Sequence, residues 1–205
     1  MKHTFLTVLG ILALLLGSCI PSLNPLYQTP EKDTRLVPEL LGAWEMLDDQ
    51  GKVLAKIDMS KGKNGSHKMM VTEGEWVSEY EAYVVPIEGH LFLDTHLVEA
   101  PKQLRESMFL FHVIPAHMFW HLEQDEGQWS LNCWIGMNAV EDMGKRPKPL
   151  KMQTLSPNNP MHACVSSSSD LKKFFRKAIT DSSPEYPLFK ADVKIFLRRP
   201  KTAEG

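Results

Sequence analysis

Five histidines, His90, His96, His112, His117 and His121, fall within 32 positions of a 205-residue chain. They form its densest group of side chains able to do chemistry. Imidazole is the commonest protein ligand for zinc, and a catalytic site needs about three ligands plus an open position. His117 and His121 share a face of a predicted strand but stand about 13 Å apart along it, so one strand cannot bring both to one ion. A partner from another strand, such as His112, would have to complete a site, and no His-Glu-x-x-His pattern is present. Strand-packing or surface histidines are the simpler expectation. No Gly-x-Ser-x-Gly elbow occurs, and the serines of 166–169 suit a loop and helix cap. Cys133 and Cys164 have no histidine beside them in sequence, and Asp94, Glu99, Glu141 and Asp142 are scattered over turns and strand ends. The expectation is a protein that is not an enzyme and carries neither metal nor cofactor.

The remaining cysteine, Cys19, sits in a different setting. Lys2 and His3 open the chain, an apolar stretch runs over 5–16, and Leu16-Gly17-Ser18-Cys19 follows. A basic start, a short apolar core and small residues at the cut mark a cleaved export signal, too short to cross a bilayer comfortably. The last four residues resemble the lipobox of bacterial lipoproteins. That resemblance implies a diacylglyceryl group on the Cys19 thiol and removal of residues 1–18. Two or three acyl chains hold a protein on a membrane essentially permanently, whereas one binds only reversibly. Ile20 rather than Asp follows the cysteine, which implies sorting to the outer membrane, facing the periplasm.

Composition limits the partners. Lys and Arg number 23 against 25 Asp and Glu, a net charge of −2 with the signs intermixed, so no basic stripe offers itself to nucleic acid. An exported chain meets oxidising conditions, where Cys133 and Cys164 can form a disulfide. Two buried free thiols are the alternative. Residues 19–38 carry Pro21, Pro25, Pro30 and Pro38 and read as a lipid-anchored tether with a reach of at most about 60 Å. Leu23, Leu26 and Tyr27 could instead fold back on the body.

The body, 39–205, is expected to be one domain. Short segments of β character cover 40–47, 53–59, 68–72, 76–85, 90–96, 108–114, 118–123, 129–135 and 150–155, with turn signals between them. Val53, Ala55, Ile57 and Met59 alternate with polar residues, as do Trp129, Leu131, Cys133 and Ile135. Leu171, Phe174, Phe175, Ala178 and Ile179 form one helical stripe, capped by Ser168 or Ser169, and a last strand covers 191–198. The fold class is mainly β: an antiparallel barrel or sandwich with one C-terminal helix before the last strand.

Gly42-Ala43-Trp44 on the first strand and Arg198-Arg199 on the last resemble the calycin superfamily. In that group a Gly-x-Trp indole packs against an arginine from the final strand and closes the barrel. The resemblance implies a lipocalin-like β-barrel, with Trp44 and Arg198 as the closing pair. Trp76, Trp120, Trp129 and Trp134, with Met69, Met70, Met108 and Met118, could line a cavity for a small hydrophobic molecule or lipid, or fill a solid core. The expected function is a membrane-anchored lipoprotein of the bacterial cell envelope that binds such a ligand. The alternative is an envelope interaction protein with a solid barrel. The basic helix residues Lys172, Lys173, Arg176 and Lys177 read as a solvated face or as a contact for anionic headgroups.

Overall fold

The computed structural model describes residues 21–99, 116–133, 150–154, 162–180 and 194–200; of Cys133 and His162 it describes only the backbone. Eight antiparallel strands close into a barrel: β1 (Gly42–Leu47), β2 (Val53–Lys61), β3 (His67–Glu73), β4 (Trp76–Ile87), β5 (His90–Glu99), β6 (His117–Asp125), β7 (Gln128–Cys133) and β10 (Lys194–Arg198). Each pairs with its neighbour in sequence, and β10 joins β7 to β1. β8 (Met152–Thr154) and β9 (His162–Cys164) form a separate two-stranded sheet. The strand expected over 108–114 lies outside the described residues.

Alternation builds the interior. Trp44, Ile57, Met59, Met69, Ala82, Val84, Leu93, Leu122, Trp129, Leu131, Ile195 and Leu197 pack into one core. In β2 the outward partners Lys56, Asp58 and Ser60 are exposed, as a half-buried strand requires. The turns Glu88-Gly89 and Glu126-Gly127 have positive φ at both residues, a twist that suits tight hairpins. Turns 62–66, 88–89 and 126–127 share one end with the short helical turn Pro38–Leu40; turns 48–52 and 74–75 share the other.

A second core lies outside the barrel. On the outer faces of β4 to β6, Tyr83, Val85, Ile87, Phe92 and Phe119 are buried. Two elements cover them. Helix α2 (Ser168–Thr180) lays Leu171, Phe174, Phe175 and Ala178 on that face, where Phe175 meets Phe92 and Phe119 edge-on. Ser167 caps this helix, one residue before the expected Ser168 or Ser169, accepting from the Asp170 amide at 3.2 Å and donating to its carboxylate at 2.8 Å.

The other cover is the segment 21–37, which includes one helical turn, α1 (Pro30–Asp33). It crosses the barrel wall as a strap. Ser22 exchanges backbone hydrogen bonds with His117, Leu26 is fully buried, the Arg35 amide donates to Val84, and Val37 reaches the core. Of the two readings of these residues, folding back on the body is the one observed; Leu23 alone of its three apolar residues stays exposed. Prolines suit such a strap because it offers few amides to a ladder.

Candidate functional site

The barrel interior changes character along its axis. At the end bearing Pro38–Leu40, the Trp44 indole Nε1–H donates to the Leu40 carbonyl at 2.7 Å. The Arg199 guanidinium lies over the same ring, 3.6 Å from its centroid. Arg199 also donates to the carbonyls of Leu41 (2.9 Å), Ala43 (3.3 Å) and Glu39 (3.0 Å). Gly42 leaves room for it, since a Cβ there would come 2.8 Å from Arg199 Nη1. The indole partner is therefore Arg199 and not Arg198. Arg198 stands opposite Glu45 in the β1–β10 register and bonds it on the outer face at 2.6 Å. Because Leu197 points inward, Arg198 must point outward and Arg199 inward again.

Away from this floor burial is mixed: Ala55 and Thr95 are buried, whereas Met46, Val71, Tyr80 and Trp120 are partly buried against the core, as is Leu91 nearer the floor. Trp120 Nε1–H donates to Thr95 Oγ1 at 3.2 Å. Glu73, two residues beyond Val71 on the same face, has its carboxyl held up in pKa by burial. The Tyr80 hydroxyl is also pushed up, first by burial and then by Glu73. The half away from the floor thus carries aromatic and thioether side chains together with the Glu73 carboxyl and the Tyr80 phenol.

The histidines sit on the outer face and meet in cross-strand pairs. His96 and His117 are opposite each other in the β5–β6 register, with ring centroids 5.1 Å apart. His90 Nδ1 and His121 Nε2 lie 3.1 Å apart. His112 is outside the described residues. The first pair belongs to a polar network under the strap: His117 Nδ1–H donates to Asp94 Oδ1 at 2.7 Å, and the Leu26 amide donates to Asp94 Oδ2 at 2.7 Å. Asp94 is fully buried. Ser66 Oγ donates to Glu81 at 3.0 Å, and Tyr27 packs on Tyr83 with centroids 4.4 Å apart. An Asp–His pair invites a catalytic reading. Yet Ser22, whose backbone pairs with His117, donates its hydroxyl to the Asn24 carbonyl at 2.8 Å. The pair acts as a clasp holding the strap. Asp94 and His117 lie 23 residues apart in the chain, and the β5–β6 register joins them.

Among the described residues no three His, Cys, Asp or Glu side chains converge to hold a metal ion. Cys164 is buried in the outer core with its thiol free. The Cys133 side chain and residues 1–20, Cys19 among them, lie outside the described residues. The basic face of α2 is partly neutralised, Lys172 by Asp33 at 2.7 Å and Arg176 by Glu88 at 3.4 Å. Among the described residues no helix is long and apolar enough to cross a membrane.

Burial holds the His121 imidazole down to about 4, with nearby Glu123 opposing the shift and His90 adding to it. The folded chain therefore binds this proton more weakly than the unfolded chain, whose value is near 6.5. The stabilisation is complete above pH 6.5 and declines as pH falls toward 4, by up to about 3 kcal/mol. Urea denaturation at pH 7 and pH 5 should show this loss, and His121→Phe should flatten it; an unchanged slope in the variant would assign the loss to other groups.

The chain matches no family model, no curated protein and no solved structure.

Proposed function

We propose that this protein is a lipoprotein of the bacterial cell envelope, moored by acyl chains on Cys19, and that it holds a small hydrophobic molecule or lipid inside its barrel. One observation carries the reading. Met46, Val71, Tyr80 and Trp120, inward-facing beyond the buried Trp44 floor, keep accessible surface. An apolar floor under partly open aromatic walls suits a flexible apolar ligand, and thioethers adapt to its shape. The raised pKa of Glu73 suits a polar end group at the mouth. Binding rather than catalysis also fits the hydrogen bonds of Asp94 and His117, which serve the strap.

The test is a titration of the full mature chain with a dansyl-labelled fatty acid. Saturable one-to-one binding in the micromolar range is expected. Trp120→Arg, which places a charge in the interior, should weaken it by about tenfold or more, while Lys63→Glu in turn 62–66 at the closed end should leave it unchanged. Absence of saturable binding by the wild-type chain would favour the solid-barrel interaction protein.

A further inference from the structure

The strap limits where a lipid anchor can act. Ser22 is pinned to His117, the first residue of β6, and Cys19 lies three residues before it. Three residues reach at most about 10 Å, against the 60 Å of a free tether. The closed end of β6, at Asp125, is eight residues away, about 26 Å along the strand. An anchor on Cys19 would therefore attach near the start of β6, at the end away from the Trp44 floor.

A separate feature marks the same end. The exposed large hydrophobic residues among those described are Leu23 (37%), Val53 (40%), Val77 (46%) and Val98 (55%). Val53 opens β2 after turn 48–52, Val77 is second in β4 after turn 74–75, and Val98 is next to last in β5. Leu23 adjoins Ser22 beside the start of β6. All four follow the open rim, and the closed end has none among the described residues. Scattered surface apolar residues need no explanation, but a set confined to one rim does. The rim's described charges are mostly acidic, Asp48, Asp49, Glu75 and Glu99 against Lys52, so attraction to anionic headgroups is not its driving force.

We infer that this rim rests on the bilayer, with Leu23, Val53, Val77 and Val98 in the headgroup region. This rests on the lipid-anchored reading above and adds an orientation to it.

The test places an environment-sensitive dye on Val98→Cys at the rim and on Lys61→Cys at the closed end of β2, each in the full mature chain on phosphatidylcholine vesicles. The wild-type chain treated identically is the blank for its own thiols. Vesicles carrying a quencher on the acyl chain should quench the Val98 dye several-fold more than the Lys61 dye, with little dependence on salt. Equal quenching at both sites, stronger quenching at Lys61, or none at either overturns the inference. The mass of the Cys19 peptide reports separately on the anchor. If Cys19 carries no acyl group, the same vesicles are offered to the unacylated chain: Val98-selective quenching then upholds the orientation without the anchor, and no quenching refutes it.

Discussion

Asp94→Ala should destabilise the fold by about 3–5 kcal/mol, lower the midpoint of thermal unfolding by roughly 10 °C, and release the strap. Asp94 is fully buried on the outer face of β5, and its two oxygens accept from the Leu26 amide and from His117, both at 2.7 Å. Alanine leaves a buried amide and a largely buried imidazole without their acceptor, the costly way to break a polar contact. The loss is expected locally as well as globally. Limited proteolysis should cut within 21–37 of the variant before it cuts the barrel core, because the strap is otherwise held by scattered bonds at Pro21, Ser22, Leu23, Asn24, Asp33, Arg35 and Val37 and by no continuous ladder. Asp94→Asn keeps an acceptor for Leu26 and should fall between the two. A variant as stable and protease-resistant as the wild type would remove the clasp from the account. Freed residues 21–37 would also lengthen the reach of Cys19, so the variant links stability to orientation.

Trp44→Ala should cost a similar amount, about 3–5 kcal/mol in chemical denaturation. The indole is buried at the floor of the barrel, bonded to Leu40 and covered by Arg199. Its removal opens a cavity where β1, β10 and the Pro38–Leu40 turn meet, and it strips the apolar face from under a guanidinium that holds three carbonyls. The two arginines should then separate cleanly. Arg199→Ala is expected to destabilise measurably through the lost stacking and hydrogen bonds. Arg198→Ala, which loses one exposed pair with Glu45, should change stability by about 1 kcal/mol or less. The reverse ranking would return the closing role to Arg198.

Much of the barrel was legible because its interior is written in period two. Ala55, Ile57 and Met59 on β2, and Trp129 and Leu131 on β7, face inward as their spacing predicts. The helix stripe from Leu171 to Ala178 was equally plain, and so was Gly42-Ala43-Trp44. The same alternation, carried one step past Leu197, would have chosen Arg199 over Arg198. Other features needed three dimensions. Tyr83, Phe92 and Phe119 read as the outward members of half-buried strands, and nothing local says that a strap and a helix will cover them. The strap itself carries the prolines of a tether, and it is decided by long-range contacts: Leu26 with Asp94, Arg35 with Val84. The histidine pairs follow from the β5–β6 register, which no single strand encodes.

The most direct test of the account is native mass spectrometry of the full chain, expressed in bacteria and extracted in mild detergent. The account predicts one acyl-bearing lipid retained per chain, and its loss in Trp120→Arg. A chain that flies empty under several detergent conditions, with the fold intact, would contradict it.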